Sequence, residues 1–255
     1  MTPATDNLFK INDDPVSLST EQKELFHHFI AMCSLLCKRA RPDIHPAISF
    51  LTTRVQRPDE DDWKKLGRVI MYLRKTLYMP LTLEADDLQI IKWWVDASDA
   101  PHGNMRSHTG ASMTIGKGAP ITVSSKQKIN TKSSTEAEVV AVDDVMGHVM
   151  WSRNFMEAQG IKIKDNIVYQ DNEAAMLLET NGRRSSTKRT KHMNVRFFFI
   201  KDRISSGEVS LINCPTLHMV GDYFTKPSLG KQFYKFRKLV MNLEHEKGDF
   251  SSKSN

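Results

Sequence analysis

Cysteine is scarce in this chain, and its scarcity excludes a disulfide-stapled fold. Only Cys33, Cys37 and Cys214 occur among 255 residues. Cys33 and Cys37 stand four apart on an expected helix with no second pair nearby, so they read as core thiols rather than zinc ligands. Long apolar runs are also missing. None reaches the ~18–20 residues of a membrane span, which argues against a membrane partner. The opening Met1-Thr2-Pro3-Ala4-Thr5-Asp6 has no basic region leading into an apolar one, so no secretory signal is read there. The expected compartment is intracellular, with no choice between a cytoplasmic particle and the nucleus. No internal repeat is visible. Charge is only mildly unbalanced, at a formal +6, a slight bias towards polyanionic partners.

What is present suits one large or two modest globular domains: 40% of residues are hydrophobic. Residues 1–18 read as a loose lead-in. Ser19-Thr20-Glu21-Gln22 starts a helix whose stripe is Leu25, Phe26, Phe29, Ile30, Cys33 and Leu36. A second helix is expected from Pro46 to Arg57. A third follows the Pro58-Asp59-Glu60-Asp61 cap, with Trp63, Leu66, Ile70 and Leu73. These give a small helical unit over 1–88 without a catalytic constellation; His27, His28 and His45 read as surface or satisfied core residues. Deleting that unit is expected to leave any chemistry measurable.

Beyond residue 88 the pattern changes. Ile90 to Asp96 is a strand ending in an acid, and Asn166 to Asp171 is another. Ser107–Ile115 and Ile121–Ser125 form a strand pair across a Gly/Pro-rich link. Helices are expected from Ser133, around Ala174–Leu178, over Lys191–Ser205 and near Asp222, with a last strand at Glu208–Asn213. This is an α/β domain over 89–228 with a mixed sheet. An amphipathic helix and a charged tail occupy 229–255.

Three acids carry the chemistry. Asp96 and Asp171 stand at the C-terminal ends of strands, where α/β folds build sites. If the strands neighbour each other in parallel, both carboxylates meet at one edge. Ser133-Ser134-Thr135-Glu136-Ala137-Glu138 opens the long helix. Glu136 lies three residues before Val139 and is read as in line with the stripe Val139, Val142, Met146 and Val149. Glu138, about 200° further round, is read as facing water. The plainer alternative makes both glutamates capping or first-turn residues. Three converging carboxylates need a counter-charge, and oxygen donors favour two Mg²⁺ ions, with Mn²⁺ an acceptable substitute. Such a pair suits in-line phosphodiester hydrolysis.

On these residues the chain resembles the C-terminal reverse transcriptase connection and RNase H region of copia-type long-terminal-repeat retrotransposon polyproteins. The matching stretches run in order over about residues 22–228. They are Arg41-Pro42-Asp43-Ile44, Val95-Asp96-Ala97, Arg106-Ser107-His108-Thr109-Gly110, Ser133 to Glu138, Tyr169-Gln170-Asp171-Asn172, Arg189 to Arg196, and Gly221-Asp222-Tyr223-Phe224-Thr225-Lys226-Pro227. The resemblance implies an RNase H-like five-stranded mixed sheet flanked by helices. It implies catalytic and metal-holding positions Asp96, Glu136, Asp171 and Asp222. The implied activity is metal-dependent cleavage of the RNA strand of RNA/DNA hybrids during reverse transcription. The alternative is an inactive nucleic-acid-binding or structural remnant.

The polymerase Tyr-X-Asp-Asp hairpin has no counterpart, so no polymerase site is expected, and the polymerase portion of the same polyprotein is an expected partner. Gly221 stands where that family usually has alanine, and is expected to loosen the helix carrying Asp222 by about 1 kcal/mol. Arg183, Arg184, Lys188, Arg189, Lys191, His192 and Arg196 are expected to meet hybrid phosphates, a solvated basic face being the alternative. Asn172, Ser124 and Gln127 are candidates for reading 2′-hydroxyls.

Overall fold

A computed structural model describes residues 1–181 and 191–243, the side chains of 191–195 and 197 excepted. The helical unit comprises α1 (Thr20–Arg39), a 3-10 turn (Pro42–Ile44), α2 (His45–Thr52) and α3 (Glu60–Lys75). Ser19 and Gln22 close a capping box on α1, and Asp59 and Asp62 close one on α3.

A two-stranded ribbon, β1 (Glu84–Ala85) with β4 (Gly116–Lys117), flanks the main sheet. The main sheet is built from β2 (Ile90–Ser98), β3 (His108–Thr114), β5 (Ile121–Lys126), β6 (Asp165–Gln170) and β7 (Ser210–Asn213). Its order is β5-β3-β2-β6-β7. β3 runs antiparallel to β2 and β5, whereas β2, β6 and β7 are parallel. This is the five-stranded mixed sheet, flanked by helices, that the sequence leads one to expect. Helices α4 (Ser134–Ala158), α5 (Glu173–Asn181) and α6 (Lys191–Ser205) pack about it, followed by the short α7 (Asp222–Thr225) and α8 (Gly230–Met241).

Two apolar cores form. One lies between sheet and α4, with Trp93, Val95, Val142, Val145, Met146 and Val168. The other joins Phe26, Ile30, Phe50 and Tyr72 of the helical unit to Tyr223 and Phe224 of α7 and Phe233 and Phe236 of α8. Burying this many aromatics is worth several times the roughly 1.5–3 kcal/mol of a single large side chain. The helical unit is therefore not a detachable appendage: removing residues 1–88 strips the cover from the helix that carries Asp222. The opening segment is not a loose lead-in either. Leu8 and Phe9 are buried, and the Phe9 ring meets Phe50 and His102 edge-on. Sequence periodicity cannot show such packing, because residues 1–18 have no regular repeat to read.

Candidate metal centre

Register brings the two strand-end acids together. Trp94 of β2 is the parallel partner of Tyr169 of β6, and their rings stack at 5.1 Å. Two residues on, Asp96 and Asp171 leave the same sheet edge. Glu138 reaches them from the first turns of α4: one carboxylate oxygen from each of Asp96, Glu138 and Asp171 lies within 4.8 Å of the others.

Asp96 and Glu138 are 4% and 5% exposed, which makes their proximity electrostatically costly. Burial, and then the neighbouring Asp222 charge, push Asp96 up to about 8. Burial pushes Glu138 well up as well, reinforced by Asp96 and Asp171. Its Oε2 has no hydrogen-bond partner among the described residues. Hydroxyls fix the other two acids. Thr225 Oγ1 donates to Asp96 Oδ2 at 2.7 Å, and Thr216 Oγ1 donates to Asp171 Oδ2 at 2.8 Å. An all-oxygen set with an unpaired buried carboxylate oxygen fits a hard divalent cation.

The expectation for the long helix is reversed. Ser133 caps α4 by accepting the Glu136 N–H, while Glu136 Oε2 accepts the Lys132 N–H at 2.8 Å. Glu136 is thus tied to the helix entrance and lies outside the acidic cluster, whereas Glu138 is buried in it rather than facing water. The sequence does carry the signal. At ~100° per residue, Glu138 lies within about 40° of Val142, Val145 and Val149, whereas Glu136 lies about 100° from the centre of the stripe. Alignment with Val139 alone misleads, because α4 buries a wider arc than one row.

Asp222 is 4% exposed and close enough to raise Asp96, but lies outside the three-acid group and pairs with Lys226 Nζ at 2.7 Å. Gly221 does not loosen this segment. A Cβ there would come within 2.9 Å of Asp96 Cβ, and one on Gly110 within 2.7 Å of the Gly221 carbonyl oxygen. Both glycines let α7 sit directly on the β2–β3 surface.

The expected nucleic-acid contacts fare unevenly. Ser124 and Gln127 are buried and internally engaged. Ser124 Oγ donates to the Phe224 carbonyl, and Gln127 Nε2 donates to the Ala137 carbonyl and Thr109 Oγ1. Both side chains are therefore held within the protein, although Gln127 Oε1 has no hydrogen-bond partner among the described residues. Asn172 Oδ1 accepts the Ala175 N–H and so caps α5. Arg196 pairs with Asp143 and Asp144. Arg183, Arg184, Lys188 and Arg189 lie outside the described residues, as do the side chains of Lys191 and His192.

No protein-family model matches the chain. The chain is nevertheless related to the Pol polyproteins of retrotransposons, as the copia-type resemblance implies. It is 29% identical over 210 residues, 82% of its length, to the retrovirus-related Pol polyprotein from transposon TNT 1-94 of Nicotiana tabacum. It is 28% identical over 202 residues to that from transposon RE2 of Arabidopsis thaliana. It is also 25% identical over 152 residues to a putative transposon Ty5-1 protein of Saccharomyces cerevisiae. The chain spans 15% and 14% of the two plant polyproteins. Among solved structures, a Prototype Foamy Virus protease–reverse transcriptase aligns with 84% of the chain at 12% identity and a TM-score of 0.33. Among the described residues no helix is long and apolar enough to cross a membrane.

Proposed function

We propose that the chain is the RNase H portion of a retrotransposon Pol polyprotein, hydrolysing the RNA strand of RNA/DNA hybrids beside the polymerase portion. The observation that carries this reading is the convergence of Asp96, Glu138 and Asp171, none of them in an ion pair among the described residues, with Lys226 paired to Asp222 at their flank. Two Mg²⁺ or Mn²⁺ ions bound there would activate water and stabilise the leaving oxygen of an in-line displacement. Asp96, Glu138 and Asp171 would hold the ions. Thr225 and Thr216 keep Asp96 and Asp171 in their rotamers, as partners behind metal ligands do. Asp222 adds negative charge at the flank, tempered by Lys226. No side chain is placed as a covalent nucleophile, and the RNase H resemblance implies a 5′-phosphate and a 3′-hydroxyl as products.

The test is cleavage of a labelled RNA/DNA hybrid by the purified chain in Mg²⁺, in EDTA, and against duplex DNA and duplex RNA. Mg²⁺-dependent loss of the RNA strand in the hybrid alone is expected. Intact hybrid in Mg²⁺ and in Mn²⁺ alike would leave the chain a binding remnant.

A further inference from the structure

A groove of about 650 Å³ runs along the outer side of β5, between α1 and α4, away from the acidic cluster. Lys38 and Arg39 of α1 and Lys126 and Lys128 of the β5 end line it. None of these four has an ion-pair partner among the described residues. Arg54 and Arg106 stand close enough to Lys126 to act on it electrostatically. The acid in the lining, Asp144, is hydrogen-bonded by Thr109 and lies near Arg196, and it also feels Lys128 without forming an ion pair with it. At the α4 side stands Trp151, 55% exposed, its ring stacked at 5.1 Å on Phe155, itself 48% exposed. Four cations outside any ion pair, beside a half-exposed tryptophan, answer the two needs of a single nucleic-acid strand: phosphate charge and base stacking. A groove of this volume suits a single strand rather than a duplex.

Register fixes the groove relative to the acids. Asp96 pairs with Gly110 and Gly110 with Ser124, so two strand spacings, about 10 Å, separate Asp96 from β5. Lys126 is level with Ser98, at the same sheet end as the cluster.

We propose that this groove seats a single-stranded overhang running off the duplex held at the acidic site. The proposal rests on the hybrid-nuclease reading for the origin of that strand. The helical unit thereby contributes Lys38 and Arg39 to nucleic-acid binding as well as structural cover.

The test uses the full chain carrying Glu138→Gln, in EDTA, so that binding is read without cleavage. Fluorescence anisotropy compares a blunt RNA/DNA hybrid with the same hybrid bearing a tail of about eight thymidines. Tailed hybrid should bind at least about fivefold tighter. Lys38→Glu with Lys126→Glu and Lys128→Glu should erase that advantage and flatten its salt dependence, leaving blunt-hybrid affinity within about twofold. Trp151→Ala should reduce the advantage while the salt slope stays unchanged. Equal affinity for tailed and blunt hybrids, or an equal loss on both in the charge-reversed variant folded by circular dichroism, overturns the proposal. Failure of the nuclease reading shows up separately, as absent Mg²⁺-dependent cleavage by the unmutated chain whatever the tail does.

Discussion

Two carboxylate centres, one buried and one largely buried, are built on opposite plans. Asp43, in the helical unit, is 1% exposed and fully answered. Arg41 donates to both its oxygens at 2.9 and 2.8 Å, and the Tyr72 hydroxyl donates at 2.6 Å. Of the acids at the sheet edge, Asp96 and Glu138 are almost as buried and Asp171 is half-buried; among the described residues none of the three forms an ion pair, and Lys226 acts on Asp96 and Asp171 only from further off. The first centre joins segments: Arg41 also holds Thr76 at the end of α3, and the Asp43 carbonyl accepts the Tyr223 hydroxyl. The second leaves its charge for something from outside. Burial alone marks neither plan; the missing partner does.

The comparison breaks most sharply in activity. Glu138→Gln or Asp96→Asn should reduce hybrid cleavage by more than the roughly 10–100-fold that loss of a residue behind a metal ligand costs. Arg41→Ala should leave the acidic cluster intact but strand Asp43, lowering stability by about 3–5 kcal/mol in urea unfolding. Activity at temperatures where that variant remains folded should survive.

The next effect is smaller and opposite in sign. Asp96 is pushed up to about 8 from an ordinary 3.8, so the folded chain keeps a proton that the unfolded chain has released. Its favourable contribution is present below about pH 4 and is lost as pH rises towards 8. Buried His45 and His102, each lowered to about 4, act the other way, destabilising as pH falls from about 6.5 to 4. Asp96→Asn cancels the first effect and also relieves Glu138, which the Asp96 charge helps to push up, while leaving the histidines as they are. Without metal, its stability relative to the unmutated chain should grow between pH 4 and 8, by ~1 kcal/mol or more at the upper end. A flat difference curve would mean that Asp96 is not held against its charged neighbours. The smallest effect belongs to Glu136→Gln: a few tenths of a kcal/mol from the α4 entrance, and cleavage within about twofold.

Much of this architecture is legible in the amino-acid order. The two strands ending in Asp96 and Asp171 are read directly from the order, whereas the parallel pairing that joins them is a condition the order only invites and the register supplies. The helix starts follow from Ser19, Asp59 and Ser133. The choice between Glu136 and Glu138 goes astray when a single neighbour, Val139, stands in for the whole buried arc. The tasks of Ser124 and Gln127 stay hidden because a polar side chain carries no mark of whether it is buried or exposed. Gly221 looks like a defect because the need for it comes from Asp96, some 125 residues away in sequence. Long-range contact of this kind leaves no periodicity to read.

The most direct test of the central claim is calorimetric titration of Mn²⁺ into the unmutated chain, Glu136→Gln and Glu138→Gln, each confirmed folded by circular dichroism. Binding should persist in the unmutated chain and in Glu136→Gln, and weaken at least tenfold in Glu138→Gln. Loss in Glu136→Gln with retention in Glu138→Gln would contradict the assignment of the buried glutamate as the ligand.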